Sequence, residues 1–407
     1  MHRALFVLDI LVEIFVHLRF SSRSLAALAR TRKMFYEPAM NLLWANMPNY
    51  AGIIPLLGCV TRLHPMIYDS DKIWWVDFNH SQGIEPLSAH EVHQFLRHAS
   101  RVRSLNVSTE HLHLLAVLPI ETCVFPRLSK LSLSCEQRMD VECWNLFLSP
   151  TLRHCTLPPF HPSIGTRCAV LEDLCLSALN MTTAEDLDLL SDTVRSCKRL
   201  VKLRCPPLDS AAWKHLSNLH TLLTVKIRKA YYGTYHPLDR NNLEFAPFLN
   251  VRTICFSFDL GIAEGIITLL QRSKFPSLKN FGFNVTDGSL SSGEVEQLFR
   301  ALSQCNTCRT LQHVVIYLPR PDVQEHSILI RQLFPFAQLQ TISLTFCNPI
   351  YLDNDFILEA MSSWPHIRSL RLENRVHCRQ PGIIFRGLFA ALRLCPTCTH
   401  SIYRSML

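Results

Sequence analysis

At 407 residues the chain is long for one compact core and suits either two domains or an elongated repeat array. Hydrophobic residues at 48% and charged ones at 18% supply ample core material and exclude a disordered chain. The formal charge of +8 is a mild excess over such a length and implies no nucleic-acid partner, and no charge-free apolar run approaches the roughly 20 residues that cross a membrane.

The chain opens MHRALFVLDILVEIFVHL, a basic start followed by an apolar run, which is the outline of a secretory signal. Asp9, Glu13 and His17 interrupt the run at intervals of four, however, and share one stripe of a helix with Leu8, Leu11, Ile14, Phe15 and Leu18 on the other side. Transfer energies of about −0.3 to −0.6 kcal/mol per aliphatic residue nearly cancel against about +2.5 to +3.5 for each carboxylate. The spacing therefore predicts an amphipathic helix. Ser21 or Ser22 caps a second helix through Leu25, Ala26, Leu28 and Ala29, and Pro38 suits the first turn of a third, Ala39 to Asn46, with Met40, Leu42, Leu43 and Trp44. About fifty residues in three short helices make a marginal core, so some aliphatic surface stays exposed and marks a partner site.

The runs ALFVLDILVEIFVHL and SLAALARTRKMFYEPAMNLLWANM resemble an F-box, in particular the F-box that begins many leucine-rich-repeat proteins of mushroom-forming fungi. Matching residues are Ile10, Leu11, Ile14, Phe15, Leu25, Leu28, Phe35, Pro38, Ala39 and Trp44; the family's proline and glutamate are replaced by Leu8 and Asp9. The resemblance implies docking on a Skp-family linker protein and, through it, on a cullin-based ubiquitin ligase. Linker-binding residues implied on this reading are Leu8, Ile10, Leu11, Ile14, Phe15, Leu18, Leu25, Leu28, Leu42 and Trp44. The alternative is a repeat scaffold outside any ligase, with the helical N-terminus acting only as a cap.

From residue 101 a pattern of apolar-x-x-apolar-x-apolar recurs: VRSLNV, LSKLSL, LRHCTL, LEDLCL, LVKLRC, a looser LHTLLTVKI from Leu219, then VRTICF, LKNFGF, LQHVVI, LQTISL and IRSLRL. Val102 to Ile367 is 265 residues in ten steps, a mean of 26.5, inside the range of leucine-rich repeats. Helical segments fall between copies at 294–305, 326–336 and 356–364. The expected fold is α/β: a leucine-rich-repeat solenoid of about eleven strand–helix units at 101–407, a small all-α F-box at 1–50, and a connector or first irregular repeat at 51–100. The asparagine or cysteine that usually follows the strand is nearly absent, which leaves the convex side to the helices. After Arg375 a helix-like IIFRGLFAALRL follows, with no further strand copy.

No phosphate-binding, dinucleotide, zinc-protease or nucleophile-elbow motif occurs, so the chain reads as a non-catalytic adaptor with no cofactor. Two Cys-x-x-Cys pairs, Cys305/Cys308 and Cys395/Cys398 with His400, lack an evident fourth ligand and read as structural rather than metal sites. His90, His93 and His98 read as a solvated helix face. Sixteen cysteines without framework spacing favour a reducing compartment, cytoplasmic or nuclear, although four Asn-x-Ser/Thr triplets (Asn79, Asn106, Asn180, Asn284) also occur. Alternate strand residues point away from the core and line the concave face. Lys202, Arg204, Lys226 and Arg228, with Tyr317 and Arg371, are the candidate contacts to a client, an acidic or phosphorylated one.

Overall fold

The computed structural model describes residues 7–47, 52–68, 85–108, 118, 123–134, 141–157, 164–176, 184–228, 245–258, 263–285, 290–305, 309–318, 326–346, 352–374, 384–395, 398 and 400–403. The chain divides into two compact units, Met1–Cys175 and Leu176–Leu407.

The first unit begins with three helices, α1 (Leu8–His17), α2 (Ser22–Thr31) and α3 (Lys33–Leu43). Ser21 caps α2 by accepting the Ser24 N–H. The amphipathic spacing then buries one face of each helix: Leu11, Phe15, Leu25, Ala29, Phe35 and Ala39 form a core, with the Phe15 and Phe35 rings edge to face at 5.7 Å. Pro38 is not in a first turn. It lies inside α3, which starts six residues earlier than Ala39. A proline there removes the hydrogen bond that its nitrogen would give the Met34 carbonyl. The helix continues through it because Phe35, Pro38 and Ala39 are all buried.

The chain leaving α3 joins the sheet directly. The Ala45 carbonyl accepts the N–H groups of both Arg103 and Ser104 (2.8 and 2.9 Å), and Met47 N–H donates to the Ser104 carbonyl at 3.0 Å. Residues 45–47 thus pair, in parallel, with β1 (Ser104–Ser108). Between them come the short α4 (Ile54–Leu57) and α5 (His64–Tyr68), then α6 (Ala89–Ala99), opened by a capping box of Ser88 and Glu91. Beyond β1 follow β2 (Lys130–Ser134) and β3 (His154–Leu157), parallel and in register, then the one-turn α7 (Ile164–Arg167). Strand β4 (Asp173–Leu176) spans the division between the units.

In the second unit the helix–strand alternation runs α8 (Ala184–Ser196), β5 (Lys202–Cys205), α9 (Ser210–Ser217), β6 (Thr224–Ile227), β7 (Thr253–Phe258), α10 (Ala263–Arg272), β8 (Asn280–Val285), α11 (Ser292–Gln304), β9 (His313–Leu318), α12 (His326–Arg331), β10 (Thr341–Phe346), α13 (Asn354–Ser363), β11 (Ser369–Asn374), α14 (Phe385–Leu394) and β12 (His400–Tyr403). Strands β5 to β12 pair in parallel, each with its neighbour in chain order. This is a leucine-rich-repeat solenoid fold, with one sheet face packed on the returning helices and the other turned outward.

Two devices bind repeat to repeat in both units. The carbonyl just before or at the start of a strand accepts two successive N–H groups from the next repeat, as Arg103 does from Ser129 and Lys130, and Gln312 from Gln340 and Thr341, all at 2.8 to 3.0 Å. Each such pair satisfies a backbone donor that a short strand would otherwise leave unpaired. The second device is a buried residue three positions before the first apolar position of most motifs: Phe125 and Cys168 in the first unit, and a column of Cys197, Phe248, Phe275, Phe336, Trp364 and Cys395 in the second. Phe248 and Phe275 stack at 4.9 Å. This column precedes the strands, whereas the asparagine or cysteine of the usual repeat follows them, so it adds to the helices without replacing that ladder.

Three local expectations are corrected. The looser repeat registers on LLTVKI, with Leu222, Val225 and Ile227 buried, because Leu219 belongs to the turn after α9. The helix from His326 ends at Arg331, since Pro335 has no N–H for that residue's carbonyl. A twelfth strand exists. Ser401 pairs with Leu370 and Tyr403 with Leu372, so Cys398, Ser401 and Tyr403 occupy places where leucine would have announced the motif.

Candidate functional site

Two surfaces stand out, one in each unit: the first leaves apolar side chains uncovered and the second gathers cations. In the first unit, α1 packs on α3 with Leu11 and Phe15 each 2% exposed, while Val7, Ile10 and Ile14 lie along one flank at 48, 40 and 40%. Their spacing of three and four residues is one helical stripe. Val12 is exposed on the opposite flank, and Phe20, just past the helix, is 88% exposed with the Arg19 guanidinium 4.6 Å from its ring centre. Asp9 and Glu13, both exposed, separate the two flanks.

The ten residues that the resemblance implies for linker docking are thereby sorted. Ile10 and Ile14 are open; Leu11, Phe15 and Leu25 are spent in the helical core; Leu18, Leu28 and Leu42 are partly buried against it. Leu8 begins α1, and its side chain lies outside the described residues. Trp44 is turned to α6 instead, stacking on His98 at 4.6 Å.

That stack joins the helical cluster to the connector, and sequence reasoning missed it by treating His98 as part of a solvated face. Nearby, the Arg101 guanidinium grips both Glu37 carboxylate oxygens (2.6 and 3.1 Å) and Asn41, and Arg97 donates to the Tyr36 hydroxyl. Trp44 Nε1 and His98 Nδ1 are buried with no hydrogen-bond partner among the described residues. Burial, then the Arg97 and Arg101 cations, push the His98 imidazole down to about 4 from its ordinary 6.5. The folded state thus refuses a proton that the unfolded chain takes up. Stability from this joint is complete above pH 6.5 and is lost as pH falls towards 4. Glu37, held low by Arg101, and Glu91, held at about 2 by Arg62 and Ser88, begin to act only below their ordinary 4.5. Thermal melts between pH 6.5 and 4.5 are therefore expected to fall in the native protein and to flatten in His98→Phe, which keeps the stack but cannot titrate.

In the second unit the inward strand residues are buried and the outward ones are not. Register sets Lys202 against Thr224 and Arg204 against Lys226 on adjacent strands. Arg228 follows directly, its N–H on the Cys205 carbonyl at 2.8 Å. These four share one face and one neighbourhood. Tyr317 lies three strands further, opposite Asn284, and Arg371 further still, bonded to Glu373 at 2.7 Å. The six candidate contacts are thus one cluster of four and two separate positions.

Cys395 donates its thiol to the Met361 and Trp364 carbonyls (3.2 and 3.4 Å), and Cys305 to Ser273 at 3.7 Å. These thiols tie one repeat to the previous one. No cluster of three metal-ligating side chains occurs among the described residues, where Cys308 and the His400 side chain are not included. Asn106 and Asn284, of two glycosylation triplets, lie within β1 and β8 with their Oδ1 atoms buried, whereas acceptor asparagines sit on surface loops; Asn79 and Asn180 lie outside the described residues. Among the described residues no helix is long and apolar enough to cross a membrane.

Fold and surfaces define the class: a leucine-rich-repeat protein with a helical cluster paired to the first strand. No family model matches the chain, and no curated protein matches it. Among solved structures it is similar to an internalin (inlF) from Listeria monocytogenes at 12% identity, covering 76% of this chain and 88% of that one with a TM-score of 0.33. The assignment of the fold rests on the strand register and the repeat-to-repeat bonding described above.

Proposed function

We propose that this chain is the substrate-recognition adaptor of a Skp/cullin/F-box ubiquitin ligase, working in the cytoplasm or nucleus. Residues 1–50 act as the F-box and dock on a Skp-family linker, which brings the cullin; the repeats hold the client. The chain catalyses nothing itself and needs no cofactor. The observation that carries the reading is where apolar surface is left uncovered: of the twelve large hydrophobic side chains exposed among the described residues, five (Val7, Ile10, Val12, Ile14 and Phe20) fall in the first twenty residues. Covering what remains open of these side chains, at about 25 cal/mol per Å² of apolar surface, would contribute towards the about 4–15 kcal/mol that association costs.

The capping role has its own support in the Ala45 carbonyl and the 45–47 pairing with β1. The two roles use different faces of the cluster. Deleting residues 1–48 would strip the edge of β1 as well as α1, so point variants on α1 are the discriminating experiment. Purified linker is expected to capture the intact chain, and the Ile10→Glu/Ile14→Glu variant is expected to escape. A linker that ignores the intact chain leaves the scaffold with a cap.

A further inference from the structure

The outward rows of the second unit carry more than a generic surface. Lys202 stands in the first row, Arg204 and Lys226 side by side in the second, and Arg228 in the third. Rows recur every two residues, about 6.6 Å apart, and the two strands are about 4.8 Å apart, so the cations cover three rows spanning about 13 Å. No outward strand position from β5 through β10 is a carboxylate; the first is Glu373 in β11, already bonded to Arg371. From β6 to β8 the other outward residues are neutral, among them Thr224, Thr253, Cys255, Ser257 and Asn280. Four cations on two adjacent strands make a local positive field that opposite charge would relieve, and the outward Asp173 of β4, the strand before β5 in the sheet, offsets it only in part.

An extended peptide places alternate side chains about 6.6 Å apart, which is the spacing of the rows. A single phosphate reaches one row, whereas carboxylates on alternate residues meet all three. We propose that this face seats an extended acidic segment of the client, with carboxylates on alternate residues, on Lys202, Arg204, Lys226 and Arg228. The inference rests on the reading above that the repeats hold a client, and supplies the chemistry of that client.

The test uses the full chain and a fluorescent peptide of about nine residues with glutamate at alternate positions, followed by anisotropy. Two comparison peptides carry glutamine at those positions, or one phosphoserine and no glutamate. Binding of the glutamate peptide is expected to weaken as salt rises, and to fall about tenfold or more in Lys202→Gln/Lys226→Gln/Arg228→Gln. Arg204 stays in place because it also holds an interaction within the protein. The arginine version, K202R with K226R, is expected to bind like the native chain, which separates charge from a change in the fold. Equal binding of the glutamine peptide, or no loss in the triple variant, overturns the proposal. Tighter binding of the phosphoserine peptide overturns the carboxylate run in favour of one phosphate. Linker capture is read on the same preparations: capture without peptide binding sinks this inference alone, and peptide binding without capture sinks only the ligase.

Discussion

Exchanging Ile10 and Ile14 together for glutamate is expected to weaken capture by a Skp-family linker by about a hundredfold or more while leaving the melting temperature of the chain unchanged. Both side chains are 40% exposed on the flank of α1, and neither belongs to the buried core of the helical cluster. At the centre of an interface, two buried charges without partners would each be expected to cost a hot spot's worth of affinity, about 2 kcal/mol or more. Phe15→Ala is the opposite case. The ring is 2% exposed and meets Phe35 edge to face, so its loss is expected to destabilise the helical cluster by about 3–5 kcal/mol. Capture would fall there too, but together with cooperative melting of the cluster. Titration of linker against each variant, with circular dichroism of the same samples, separates the two. If Ile10→Glu/Ile14→Glu binds as the native chain does, α1 is not the docking helix.

The repeat was legible because its period rests on residues whose burial is obligatory. Leu131 and Leu133, or Ile342 and Leu344, are all at most 2% exposed, and each alternates with a polar neighbour. That alternation is a property of the pleat and survives any change of loop length. β12 was not legible for the converse reason: its pairing with β11 is made by backbone, and backbone bonds leave no mark on residue identity when Ser401 and Tyr403 stand in register with Leu370 and Leu372. The same holds for residues 45–47. Nothing in Ala45-Asn46-Met47 reads as a strand, yet the Ala45 carbonyl closes the edge of β1.

For the candidate surfaces, period and charge could say which side chains are amphipathic but not which apolar ones the small cluster would claim. Leu11 and Ile14 are three residues apart on one helix, and sequence alone treats them alike. The packing of α3 separates them, burying Leu11 and leaving Ile14 open. Trp44 was read as a docking residue and is occupied by His98, a partner more than fifty positions away in the chain. Tertiary neighbours of that kind lie beyond any local pattern. The cation cluster, in contrast, followed from counting alternate residues, because Arg204 and Lys226 fall into register as soon as both repeats do.

Trp364→Ala is expected to destabilise the second unit by about 3–5 kcal/mol and to do so locally. Trp364 is 1% exposed in the aromatic column, its ring edge-on to Phe334 at 5.3 Å, its indole N–H donated to the Leu333 carbonyl at 3.0 Å. It also receives from the following repeat, since the Cys395 thiol donates to the Trp364 carbonyl. The side chain therefore ties the end of α13 to the turn after α12, while the link to Cys395 runs through the backbone carbonyl, which the alanine variant keeps. The Leu333 carbonyl keeps the Phe336 N–H after the substitution, so the loss is mainly of packing and cavity rather than of an orphaned acceptor. Trp364→Phe, which restores most of the ring but not the hydrogen bond, is expected to cost about 1–2 kcal/mol. In a repeat array each unit leans only on its neighbours, so the damage should be confined to the flanking repeats. Hydrogen exchange in Trp364→Ala should lose protection across β10, β11 and α14 while β7 and β8 stay protected. A uniform loss across the second unit would instead make it one cooperative block, and the neighbour-to-neighbour account of its stability would fail.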